Sequence, residues 1–234
     1  MSDSPAVVEH VEHEARPELR HHFADVEQQR NAASLGMWWF LGTEIMFFGG
    51  MFCAYLIYRR WYFEEFAVAS RSLSLGIGTF NTTVLICSSL TVAMSVRAAQ
   101  LGKRMLLVTL LVLTILFGLV FLGVKAYEWN EKFTEHHVPG YSFHFKQEST
   151  EKPVDQGRAQ IFFSLYFAMT GMHALHMIIG VGIFGVITWM AWRGRFTPEY
   201  HTPVEIAGLY WHFVDIVWIY LFPLLYLIDR RPHG

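Results

Sequence analysis

Charge is what this sequence has least of. Asp, Glu, Lys and Arg together make up 16% of its 234 residues, against about a quarter in an ordinary soluble domain. The charges are also confined: the stretches 35–58, 72–96, 105–124, 159–192 and 206–228 contain only Glu44 and Asp215. A net charge of −2 provides no basic footprint, which excludes a nucleic-acid partner. Cysteine is nearly absent. Cys53 and Cys87 form neither a CxxC nor a CxxCH, so a disulfide framework, covalently attached haem and a thiolate metal cluster are excluded. Both fall inside apolar stretches and are read as small side chains packing between helices. Residues 1–34 lack the apolar core of a secretory signal, so the first apolar stretch is expected to act as an uncleaved anchor.

What the sequence has in abundance is long hydrophobic runs. About 20 apolar residues carry an α-helix across a hydrocarbon core about 30 Å thick, and all five stretches reach that length. Lipid leaves no partner for unpaired backbone groups, and runs this long and uniformly apolar do not alternate as barrel strands do. The predicted fold is all-α, a polytopic bundle of five transmembrane helices at about 35–58, 72–96, 105–124, 161–187 and 206–228. Residues 1–34 form an acidic, His-rich N-terminal tail ahead of the membrane domain, 35–234. Its His10, His13, His21 and His22 have no fixed ligand spacing and are read as part of a solvated arm. The connections 59–71, 97–104, 125–158 and 193–205 are too short for a separate catalytic domain. Lys and Arg divide almost evenly between the two sides, which leaves orientation open.

The polar residues inside the runs call for explanation. A carboxylate at the centre of a membrane helix costs about 2.5–3.5 kcal/mol on insertion scales, so Glu44 needs a buried partner, a proton-handling role or a cleft. Asn81, Ser88 and Ser95 recur every seventh residue, with Thr82 and Ser89 beside them, and read as a helix-packing seam. His173, His176 and Gly180 fall along one side of a helix, and His212 and Asp215 are three apart on the last. Haem or metal ligation by these histidines is the sharper reading and hydrogen-bonded packing the favoured one, because a two-haem bundle wants facing pairs at two depths. Trp38, Trp39, Tyr58, Trp61, Tyr62, Trp189, Trp192, Tyr210 and Trp211 are expected as interfacial belts. Arg193 and Arg195 beside them suit anionic headgroups.

Taken in order, these features resemble subunit III of the haem-copper oxidases. The resemblance runs from Gly36 to Asp229: Gly36, Met37, Phe40, Glu44, Phe47 and Phe48, then Asn81–Thr82, Glu128–Trp129, TGMHALHMIIG at 170–180, His201, Glu205 and YWHFVDIVW at 210–218. It is similar to the five-helix bacterial form, which lacks two N-terminal helices of longer members. The resemblance implies a subunit with no catalytic residue, metal or redox centre of its own. Haems and copper would reside in the partner chains, the catalytic subunit I and subunit II. Bound phospholipid and support of proton uptake and active-site lifetime would be its contribution to aerobic electron transport, with membership of a larger respiratory supercomplex as an option. It further implies the bacterial inner membrane, with the N-terminus cytoplasmic and the C-terminus periplasmic. Glu44, His173, His176, His212 and Asp215 would form a buried polar network, Arg193 and Arg195 would meet lipid, and Glu128, His201 and Glu205 would lie at the interface. The same subunit in a quinol oxidase, or a relative accompanying nitric oxide reductase, fits equally. A stand-alone proton transporter lacks support: no inverted repeat is evident and Pro223 is the only intramembrane proline. A b-type haem carrier is the remaining class.

Overall fold

A computed structural model describes residue 23 and residues 25–134, 138–140, 145 and 154–228. The tail histidines His10, His13, His21 and His22 lie outside the described residues. Six helices follow in order: α1 (Val26–Trp61), α2 (Phe63–Arg71), α3 (Leu75–Gln100), α4 (Arg104–Thr134), α5 (Gln156–Trp192) and α6 (Thr202–Tyr226). All but α2 are long and apolar enough to cross a membrane. The described chain is all-α, as composition requires.

Helix ends depart from the apolar boundaries because hydrogen bonding, not hydropathy, sets them. α1 starts at Val26 rather than 35, since the Asp25 carboxylate caps it by accepting from the Gln28 amide at 2.6 Å. α4 continues to Thr134, into the expected 125–158 loop. Asp155 caps α5 by accepting from the amides of Gly157 and Arg158 at 2.8 and 3.2 Å. The 59–71 connection is itself mostly helical, and α2 buries Phe66, Ala67, Ala69 and Ser70. Tight turns after α3 and α5 use Gly102 (φ 65°) and Gly194 (φ 72°), where the amides of Lys103 and Arg195 close back on Ala98 and Met190.

Helices α3 to α6 close into a ring in which α3 and α5 each pack on both α4 and α6, while α1 leans on the outer side of α5 and α6. Lipid does not drive apolar helices together, so close approach and hydrogen bonds must hold the ring. The seam on α3 meets that need. Asn81, Ser88 and Ser95 are fully buried. Ser88 Oγ accepts from Trp211 Nε1 at 3.0 Å, and Thr82 Oγ1 accepts from Trp218 Nε1 at 3.1 Å. The indoles are seven residues apart on α6 and their acceptors six apart on α3, in opposite order, because the two helices run antiparallel. Thr91 and Thr114 hydroxyls, 2.8 Å apart, join α3 to α4.

Trp211 sits where all four helices meet. A methyl group added at Gly118 of α4 would come within 2.9 Å of its ring, and one added at Gly180 of α5 would do the same. Neither Tyr210 nor Trp211 belongs to an interfacial belt: they are 4% and 0% exposed, because α6 starts at Thr202 and carries them two turns inward. Trp38, Trp39, Trp61 and Trp192 are exposed as belts require. Cys53 and Cys87 are exposed too, not packed between helices as expected, since the inward positions beside Cys87 are taken by the Ser88 seam.

A fully buried ion pair lies inside the ring. Lys125 Nζ donates to Glu128 Oε2 at 3.2 Å and to the hydroxyls of Tyr166 and Tyr226 at 3.0 and 2.9 Å, beneath the Trp218 ring at 5.1 Å. Glu128 Oε1 accepts from Tyr166 at 2.8 Å and from Tyr226. Both charges of this pair are thus matched and hydrogen-bonded among α4, α5 and α6, the condition for burying ions in a low dielectric. Nearby, the Tyr55 and Ser70 hydroxyls donate to the Leu224 and Leu225 carbonyls, capping the end of α6 from α1 and α2.

Two outcomes are expected from thermal unfolding in detergent. Gly180→Ala forces Trp211 off its seat and should destabilise by about 1–3 kcal/mol, whereas Gly182→Ala, with open space around it, should be near neutral. Lys125→Met strands Glu128 and should cost about 3–5 kcal/mol; adding Glu128→Gln should recover most of that loss, and an equal loss in single and double variants would refute the pairing.

Candidate functional site

The polar residues singled out in the sequence separate into distinct sites. Glu44 on α1 and His176 on α5 meet with Oε2 3.1 Å from Nε2. His176 Nδ1 is 2.8 Å from the Met172 carbonyl, which only accepts, so this nitrogen carries hydrogen. Nε2 faces the Glu44 carboxyl, and the contact gives an acid at this depth a polar partner. Tyr210 donates its hydroxyl to the His176 carbonyl at 2.9 Å, and the Phe48 ring packs edge-on against the imidazole at 5.3 Å between centroids.

This pair stands at the inner end of a cleft of about 760 Å³ between α1, α5 and the start of α6. Met37, Phe40, Ile179, Ile183 and Ile206 supply apolar walls, and Gln29 and Arg30 line its far end on the first turns of α1. From Arg30 to Glu44 the helix rises about 21 Å at 1.5 Å per residue. A long apolar channel with polar groups at both ends is the shape of an amphiphile site. The cleft exists because α1 is held only by α5, α6 and α2 and leans away from the ring.

His173 is separate from that pair. It is 1% exposed, donates from Nε2 to the Val214 carbonyl at 3.2 Å, and is enclosed by Phe121 and Trp218. His212 is separate again, with Nδ1 2.7 Å from Ser89 Oγ. Asp215, one turn on, is 3% exposed, with both carboxylate oxygens enclosed and the Ser89 hydroxyl as its neighbouring donor. Among the described residues no three His, Cys, Asp or Glu side chains converge as a metal site.

At the start of α6, His201 Nε2 lies 3.1 Å from Glu205 Oε1, which also accepts from Gln100 at 3.0 Å. Glu128 faces inward in the Lys125 cluster. Arg193 is exposed, its guanidinium 5.0 Å above the Trp189 ring, and Arg195 is exposed beyond it. Below Arg193, Val108, Gly185, Trp189 and Trp192 line a groove of about 350 Å³ between α4 and α5.

Lys125, Tyr166, Tyr226 and Arg30 escaped the sequence reading, and Ser89 was seen there only as part of the packing seam. A Lys three residues before Glu128, at the edge of an apolar run, was the signal for the first. The tyrosines carry no periodic mark, and Arg30 falls in what reads as tail.

A profile of the family described as cytochrome c oxidase subunit III matches residues 146–229. The chain is similar to cytochrome c oxidase subunit 3 of Thermostichus vulcanus, 32% identical over 84% of this chain and 87% of the relative. It is also similar to cytochrome c oxidase subunit 3 of Corynebacterium diphtheriae, 32% identical over 85% of this chain and 89% of the relative. A probable quinol oxidase subunit 3 of Staphylococcus haemolyticus is 29% identical over 86% of this chain and 90% of the relative. With five membrane-length helices carrying the motifs throughout, and identity of this level over most of both chains, the chain belongs to the subunit III family of the haem-copper oxidases, a multi-pass membrane subunit of an oxidase complex.

Proposed function

We propose that this chain is the accessory subunit of a cytochrome c oxidase in a bacterial inner membrane, packing directly against the catalytic subunit I in a complex that includes subunit II. It carries no redox centre; haems and copper belong to those partners. The engagement of its membrane histidines supports this reading, since His173 is committed to Val214, His176 to Met172 and Glu44, and His212 to Ser89. The N-terminus lies in the cytoplasm and the C-terminus in the periplasm.

Its contribution is a lipid-lined boundary for the catalytic chain. The observation that carries this is the cleft that ends on the Glu44–His176 pair. An acyl chain fills the apolar channel, with Arg30 placed for a phosphate; the groove below Arg193 offers a second chain a seat, with Arg193 and Arg195 at the headgroup. The Glu44–His176 pair sustains rapid proton uptake and prolongs the life of the active site. The resemblance to a quinol oxidase subunit 3 keeps a quinol donor as the second reading, because electron-donor contacts lie outside this subunit.

The test is purification of the complex through a tag on this chain in mild detergent, with phospholipid quantified and a reduced-minus-oxidised spectrum taken before and after the chain is stripped away. Haem is expected to stay with a large multi-span partner and phospholipid to leave with this chain; haem retained by the isolated chain would overturn the proposal. In the same complex Glu44→Gln, whose amide can still donate to His176, is expected to assemble normally. Its turnover before inactivation should fall several-fold, with slower proton uptake, and wild-type values for both would reduce Glu44 to packing.

A further inference from the structure

An acyl chain laid in the cleft between α1, α5 and α6 brings its terminal methyl group against a carboxyl, because the apolar walls end on Glu44 and His176. The hydrogen-bonding groups at that inner end can be accounted for one by one. Glu44 Oε2 meets His176 Nε2 at 3.1 Å, and His176 Nδ1 is bonded to the Met172 carbonyl. The Tyr210 hydroxyl donates to the His176 carbonyl at 2.9 Å, and the Thr43 hydroxyl turns back to the Phe40 carbonyl on its own helix. What is left is Glu44 Oε1, which has no hydrogen-bond partner among the described residues. This oxygen is within reach of a ligand: it is not among the enclosed unpaired atoms, and Glu44 lines the cleft with 18% of its side chain exposed.

The mouth of the cleft makes a second demand. Arg30 lines it, is exposed, and pairs with no acid among the described residues. Arg30 and Glu44 are separated by a helix rise of about 21 Å. An extended chain advances about 1.2 Å per bond, as a fully extended backbone does over its three bonds per residue, so about 16–18 carbons reach from one to the other. A plain chain of that length suits the apolar walls and leaves Oε1 unmatched at a depth where water is scarce. A hydroxyl group both donates and accepts, so it pairs with Oε1 whether the carboxyl is charged or neutral. We infer that the cleft binds an anionic lipid whose acyl chain carries a hydroxyl group at its far end, with the anion at Arg30 and the hydroxyl on Glu44 Oε1. This rests on the reading of the cleft as a lipid site and names the class of lipid it takes. Selectivity follows from the same atoms: a chain without the hydroxyl, or with it elsewhere, leaves the acceptor bare.

The test uses the whole complex, purified through a tag on this chain and washed with detergent to remove bound lipid, with tritiated hexadecanoic acid as the probe. Unlabelled 16-hydroxyhexadecanoic acid should displace the probe at a concentration at least several-fold lower than hexadecanoic acid does. 2-Hydroxyhexadecanoic acid, with the same group beside the head, should gain nothing. Arg30→Gln should weaken all three several-fold, and Glu44→Leu should remove the advantage of the 16-hydroxy acid while hexadecanoic acid binds as before. Equal displacement by the 16-hydroxy and plain acids, or an advantage that survives Glu44→Leu, overturns the inference, and the first comparison needs no variant to fold. Lipid extracted from unwashed complex should be enriched in hydroxyacyl chains over the surrounding membrane, and no enrichment overturns the inference too. Chains released only by saponification identify a phospholipid, and chains present without it identify a free hydroxy acid. If hexadecanoic acid shows no saturable binding, the underlying lipid reading fails; if it binds and the terminal hydroxyl adds nothing, only this inference fails.

Discussion

The packing of Trp211 governs the rest of the molecule. In lipid the apolar surfaces of helices gain nothing by meeting each other, so a bundle depends on close approach and on hydrogen bonds between helices. Trp211 supplies both at one point: its ring lies against Gly118 and Gly180 and its Nε1 is bonded to Ser88. Four helices meet around one side chain. Seven residues later Trp218 repeats the arrangement, bonded to Thr82 and packed on Phe121 and His173. The glycines and the seam hydroxyls therefore answer to the tryptophans of α6.

Once α3 to α6 are closed around these rings, α1 has only the outer faces of α5 and α6 to rest on. That geometry opens the cleft, and the cleft explains why a glutamate is tolerated on α1. Glu44 does not enter the ring; it reaches across to His176 at the ring's surface. The polar residues of the membrane domain thus divide by circumstance. The Lys125 cluster is internal, closed and structural; the Glu44 pair borders a space; Asp215 sits with Ser89 and His212 beside a groove between α3 and α6.

This division bears on how the subunit serves an oxidase. A closed ring tied by hydrogen bonds between its helices resists distortion, while α1, held by fewer neighbours, borders the cleft without disturbing it. The Lys125 cluster stays inside the ring, while the Glu44 pair stands at its border, where the proposed lipid contacts lie.

The sequence by itself determined the five membrane helices, because a hydrocarbon layer imposes a length and an absence of charge that can be counted residue by residue. It also made the α3 seam readable, since heptad spacing survives in a single helix. Its motifs marked Glu44, His173, His176, His212 and Asp215 as unusual, and the cost of polar groups in lipid is again a property of one residue in one span. Only the tertiary structure decided which of these meet. The sequence reading placed all five in one network, but the fold distributes them over separate sites, because a partner on another helix depends on crossing geometry that no local pattern encodes. The placement of Tyr210 and Trp211 inside, the recruitment of Tyr166 and Tyr226 to Lys125, and the outward position of Cys53 and Cys87 were decided the same way. Depth in a membrane is written along the chain; facing direction is fixed only when helices pack.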